Sequence, residues 1–115
     1  MDVVIWHNPS CSKSRQALAL LKERGLEPTV RQYLKDPPSA KELRAVLKKM
    51  GAKDPHALVR KKEKLFGELG VAEMKGGEVV DAMAAHPKLI ERPVVITDRG
   101  ARVGRPTEAI VEVLD

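Results

Sequence analysis

The feature that most constrains this fold is the stretch Val3-Val4-Ile5-Trp6-His7-Asn8-Pro9-Ser10-Cys11-Ser12-Lys13-Ser14-Arg15. Asp2 to Trp6 is a short apolar run rich in β-branched side chains, the pattern of a buried strand. Asn8-Pro9 breaks it with a turn, and Ala17, Leu18 and Leu21 then follow a helical rhythm that stops at Gly25. A strand that passes so directly into a helix places the turn between them at the helix N-terminus. Cys11, the only cysteine of the chain, lies there. Unpaired N–H groups and the positive end of the helix dipole favour an anion at that point, either the thiolate of Cys11 or a bound oxyanion.

A free cysteine titrates near pH 8.5, and helix N-termini with nearby cations lower this to roughly 3.5–7.5. The groups that could contribute are the hydroxyls of Ser12 and Ser14, a protonated His7, and Lys13 or Arg15 folding back. A lone cysteine is often no more than a small buried hydrophobe. In a strand–turn–helix flanked by Ser, His and Arg, the expectation is a nucleophile.

The following elements extend the pattern. Pro28 to Leu34 reads as a second strand, so residues 2–34 form a strand–helix–strand unit with parallel neighbours and a right-handed crossover. Ser39 and Glu42 make a capping box, Leu43, Val46, Leu47 and Met50 recur at helical spacing, and Gly51 ends that helix. Asp54-Pro55 opens another helical segment, which carries Leu58 and Val59, the basic run Arg60-Lys61-Lys62-Glu63-Lys64, and Leu65, Phe66 and Leu69 up to Gly70. Val79, Val80, Met83 and Ala84 form a short helix that ends at His86-Pro87. Pro93 to Thr97 and Ala101 to Val103 read as a hairpin about Asp98-Arg99-Gly100, and a final helix starts near Pro106. The order βαβ, helices, ββα is that of an α/β thioredoxin-like fold with a central helical insertion. We expect one domain over residues 1–115, with the insertion at roughly 39–87.

Composition narrows the functional classes. With one Phe, one Tyr and one Trp, the core must be aliphatic. A single cysteine excludes an internal disulfide, so nothing implies an oxidising compartment. The N-terminal apolar run is too short for the hydrophobic region of a signal peptide, and no run approaches a membrane span, so a soluble cytoplasmic protein is expected. The net charge of +5 suits an anionic partner. Its basic residues are spread over several elements without interleaved aromatics, which favours a small anion held by converging arginines over nucleic acid. Three scattered histidines and one cysteine lack zinc-ligand spacing, so no metal is expected.

The residues resemble a known family. His7-Asn8-Pro9-x-Cys11-x-x-Ser14-Arg15 resembles the opening of the glutaredoxin-coupled arsenate reductases. Further matches are Glu27-Pro28-Thr29, Tyr33-Leu34, Pro37-Pro38, Leu58-Val59-Arg60-Lys61 and Glu68-Leu69-Gly70. Asp81-x-Met83-x-x-His86-Pro87, Ile90-x-Arg92-Pro93 and Gly104-Arg105-Pro106-x-Glu108 complete a resemblance that covers nearly the whole chain. It implies that Cys11 attacks arsenate and that Arg60, Arg92 and Arg105 hold the oxyanion. It also implies that His7 and Ser14 support the thiolate, and that Pro93 occupies the position of a cis proline facing the cysteine. Glutathione is implied as co-substrate with glutaredoxin as partner, no bound cofactor, and a monomer. Arginine suits such a target because its fork donates two parallel bonds to a tetrahedral oxyanion.

Other readings remain open at this level. Arg60 lies in a run that could be a solvated helix face, Arg92 could pair with Glu91 or Glu108, and His56 and His86 look structural. The same cysteine could serve a glutathione-dependent thiol/disulfide reductase. An Spx-like regulatory binding protein shares the fold, but such proteins usually carry a C-x-x-C pair, and here Ser14 stands in the second position. A phosphatase loop of the C-x5-R type is disfavoured because Arg15 comes too early.

Overall fold

The computed structural model describes residues 1–115. Strand β1 (Val4–Trp6) sits inside a four-stranded sheet of order β2-β1-β3-β4. It pairs in parallel with β2 (Thr29–Arg31), Trp6 opposite Arg31, and antiparallel with β3 (Val94–Thr97), Trp6 opposite Val94. β3 continues through a tight turn into β4 (Gly100–Val103). Side chains alternate across the sheet as the pleat requires. Val3, Ile5 and Val95 face helix α1 (Ser12–Glu23) and the C-terminal 3₁₀ helix Thr107–Val113, packing with Ala17, Leu21 and Ile110. Trp6, Val94 and Ala101 face the other layer, built by α2 (Ala40–Met50), α3 (Lys64–Glu68), α4 (Gly77–Ala85) and the 3₁₀ turns between them. No helix is long and apolar enough to cross a membrane.

Helix α2 forms where its sequence dictates. The Ser39 hydroxyl accepts from Glu42 N–H, the Glu42 carboxylate accepts from Ser39 N–H, and Gly51 closes the helix at φ +69°. Strand β2 is shorter than expected. The expected strand over Pro28–Leu34 covers only Thr29–Arg31. β1 turns away at Asn8-Pro9, so the last rung is His7 N–H to Arg31 O at 2.8 Å, and the chain then bends with Lys35 and Asp36 N–H on Gln32 O.

The largest departure is in the middle of the chain. The helical segment expected from Asp54 to Gly70 is broken. A 3₁₀ turn over Pro55–Leu58, capped by Asp54 accepting from His56 N–H, gives way to extended chain at Val59. Val59 bridges antiparallel to Ile90, with Arg60 N–H on Leu89 O and Glu91 N–H on Leu58 O, each at 2.7 Å. Those long-range bonds satisfy backbone groups that a continuous helix would have paired internally. The final helix is 3₁₀ throughout, and both Arg92–Pro93 and Arg105–Pro106 are cis peptides.

Candidate active site

The centre of the site is Cys11, the N-cap residue of α1, with extended backbone (φ −97°, ψ 122°) and 9% exposure. Asn8 O accepts from Cys11 N–H at 3.0 Å, and Asn8 Oδ1 accepts from Ser10 N–H at 3.0 Å. This double use of Asn8 shapes the turn that the Asn8-Pro9 pair announces. Burial pushes the Cys11 thiol up, but the Arg92 guanidinium beside it and the N–H groups of Ser14 and Lys13 outweigh that, so its pKa lies below the ordinary value. The sulfur sits at the start of α1, where the first N–H groups have no partner within the helix.

Ser14 is fully buried on the inner side of α1. Its Oγ lies 2.6 Å from His7 Nδ1 and accepts from Asn8 N–H at 3.0 Å. Burial, then Arg15 and Lys22, lower the His7 pKa, so its ring is neutral at pH 7. His7 and Ser14 thus bind each other and brace the loop from within, and His7 brings no positive charge to the sulfur at that pH. Arg15 folds back as well, but onto Pro9 O at 2.8 Å.

The opposite wall comes from the ends of two distant segments. Arg105 Nη2 reaches 3.6 Å from Cys11 Sγ. Its Nε is held between Arg92 O at 2.8 Å and Glu91 Oε1 at 3.1 Å, so the planar fork can approach the sulfur in only one orientation. Arg92 precedes β3 and lies beside the sulfur, with its Nε buried and without a partner. Arg60 stands further out. It pairs with Glu63 at 3.2 Å and, with Lys61, Lys62, Glu91 and Arg105, lines an open cleft of about 380 Å³. The structure therefore brings Arg92 and Arg105 onto Cys11, sets Arg60 in an adjoining cleft that Arg105 also lines, and places His7 and Ser14 behind the loop. His56 lines the same cleft as Arg60, its ring bound to Asp54 and Val71 O. No group of three or more His, Cys, Asp or Glu side chains is arranged to hold a metal ion.

The profile of the ArsC family matches residues 6–113. This chain belongs to the ArsC family. It is 40% identical over 116 residues to the arsenate reductase of Haemophilus influenzae, covering 99% of this chain and all of that protein. It is 46% identical over 115 residues to the uncharacterized protein YfgD of Escherichia coli, covering 98% of this chain and 97% of that one. Among solved structures, the arsenate reductase of Vibrio cholerae superposes with a TM-score of 0.94 at 45% identity, covering 98% of both chains. The thioredoxin-like architecture is thus that of the ArsC arsenate reductases.

Two residues of this ArsC-family site are absent from the candidates read in the sequence. Glu91 was legible only as an ion-pair partner for its neighbour Arg92, yet its carboxylate holds Arg105. Tyr33 reads as a strand residue, yet its buried hydroxyl faces the charges of Arg92, Cys11 and Arg60. The signal available for Tyr33 was its uniqueness, the single tyrosine of an aliphatic core.

Proposed function

We propose that this protein is a cytoplasmic oxidoreductase that reduces arsenate to arsenite, acting as a monomer with glutathione and glutaredoxin as thiol donors. The observation that carries the reading is the convergence of Arg92 and Arg105 on the single, lowered-pKa thiol of the chain. The names of the Haemophilus influenzae and Vibrio cholerae relatives, both arsenate reductases, point the same way. Cys11 attacks arsenic as the thiolate and an arsenate oxygen leaves as water, giving a sulfur–arsenic(V) bond. Glutathione adds next, its sulfur bonding to arsenic as a second oxygen leaves as water. The two sulfurs then join as a mixed disulfide and their two electrons reduce arsenic(V) to arsenic(III), which leaves as arsenite. The chain has no second cysteine to open that disulfide, so an outside thiol must do so, the role assigned here to glutaredoxin.

In this scheme Arg92 and Arg105 hold the thiolate before the attack and the oxyanion charge after it, and Arg60 closes the outer side of the cleft. His7 and Ser14 keep the loop shaped so that the first N–H groups of α1 stay on the sulfur. The test is arsenate-dependent NADPH oxidation with glutathione, glutaredoxin and glutathione reductase, comparing wild type with Cys11→Ser. Turnover by wild type that disappears in the variant supports the reading. An inactive wild type whose Cys11 still titrates as a low-pKa thiol overturns it in favour of disulfide reduction on another substrate.

A further inference from the structure

Two buried side-chain polar atoms have no hydrogen-bond partner, Tyr33 Oη and Arg92 Nε. Buried polar groups are almost always satisfied, and an orphan costs free energy that packing must offset. Both residues neighbour Cys11. The rung from His7 N–H to Arg31 O carries the chain after β2 alongside the loop that leads to Cys11, which brings Tyr33 next to Asn8. Arg92 lies beside the sulfur.

Filling the core at position 33 requires only a ring, and phenylalanine would supply one without burying an unpaired hydroxyl. Burial and the negative charge of Cys11 outweigh Arg92, Asn8 and Arg60, holding the phenol pKa above its ordinary value. Tyr33 therefore keeps its proton and is a donor. Arg92 Nε–H is a donor too. Two unused donors flanking a nucleophile call for a ligand with at least two acceptor atoms, which a tetrahedral oxyanion has.

We infer that Tyr33 is an oxyanion-binding residue, its hydroxyl donating to an oxygen of the anion that Cys11 attacks while Arg92 Nε–H donates to another. This deepens the arsenate reading and rests on it. The loss of one hydrogen bond to a charged group corresponds to roughly 10- to 100-fold in kcat/KM.

The test is Tyr33→Phe, with three readouts: arsenate turnover, the pH profile of Cys11 alkylation by iodoacetamide, and protection of Cys11 from that reagent by arsenate. We expect kcat/KM to fall by that factor and protection to require a higher arsenate concentration. The alkylation profile should stay in place, and Tm should be unchanged or raised, because the lost oxygen has no partner in the free protein. Unchanged kcat/KM and protection overturn the inference. A loss accompanied by a shifted profile or a lowered Tm also overturns it, in favour of a role in positioning or packing. If wild type fails to turn arsenate over, the reductase reading fails separately, and protection decides: protection weakened in Tyr33→Phe supports Tyr33, and no protection in wild type overturns it.

Discussion

A Cβ added to Gly104 would lie 2.8 Å from Cγ of Pro93 and 3.3 Å from Cγ2 of Ile110. The same residue donates its N–H to Pro93 O at 2.9 Å, so the two backbones are in close contact where Arg92 and Arg105 leave them. A proline ring cannot swing aside as a long side chain can. Gly104→Ala should therefore cost about 1–3 kcal/mol in urea unfolding and displace Arg105 from the sulfur, lowering kcat/KM with it. Native stability and activity in this variant would mean that the contact is slack.

Arg92 and Arg105 both face the sulfur, but the charge of Arg92 weighs on the thiol. Arg92→Ala should move the alkylation midpoint of Cys11 upward, towards that of a free cysteine, and lower kcat/KM by about 10²–10³. Arg92→Lys restores a charge but not the fork. It should return most of the alkylation midpoint and little of kcat/KM, and an equal recovery of both would refute the bidentate role.

His56 Nδ1 lies 2.7 Å from Asp54 Oδ1 and Nε2 lies 2.8 Å from Val71 O. Both partners only accept, so both ring nitrogens must donate, and the imidazolium is the form that fits. The Val71 carbonyl, then Asp54, raise its pKa above the ordinary 6.5. A folded pKa above the unfolded one gives stability that is complete below 6.5 and is lost as pH rises through the folded value. His7 has the opposite sign. Its lowered pKa gives stability that is complete above 6.5 and is lost as pH falls. Urea unfolding from about pH 6 to pH 8 should show the gap between wild type and His56→Gln narrowing with rising pH. A gap independent of pH would show that His56 stays neutral.

Glu42 caps α2 and also holds Arg31, whose Nη2 donates to Glu42 Oε1 at 3.3 Å. The Arg31 guanidinium, then Ser39 N–H, pull its pKa to about 2 from the ordinary 4.5, so its contribution disappears as pH falls from 4.5 towards 2. The carboxylate is half exposed, and water screens the pair. Glu42→Gln, which keeps a capping oxygen, should therefore cost less than about 1 kcal/mol at pH 7. Ser39→Ala should cost about 1 kcal/mol by removing the acceptor for Glu42 N–H. Circular dichroism in urea measures both, and a larger loss for Glu42→Gln would mean that the ion pair dominates the cap.

The parts legible in the sequence are those decided locally. The ends of α2 follow from Ser39, Glu42 and Gly51, and the placement of Cys11 at a helix start follows from Asn8-Pro9 and the rhythm after Ser12. What escaped is decided by partners far away in the chain. Nothing near Val59 says that it will leave a helical course to meet Ile90. Glu91 stands next to one arginine in sequence and binds another that only folding brings to it. The strand expected over Pro28 to Leu34 stops at Arg31 because its limit is set by its pairing with β1, not by its own residues.

The Val59–Ile90 bridge ties together the two ends of the helical excursion that runs between them. Arg60 and Glu91 are fixed by backbone bonds to Leu89 O and Leu58 O, so the helical excursion leaves and re-enters the site through one clasp. Closing a loop grows costlier only slowly with its length. The excursion can therefore gain or lose residues at a turn such as Gly76-Gly77 while the separation of the arginines at its base stays the same. The fold thus divides into a hearth around the sulfur and a roof whose inner side is core, so new specificity can be built in the roof's exposed turns without redrawing the chemistry beneath it.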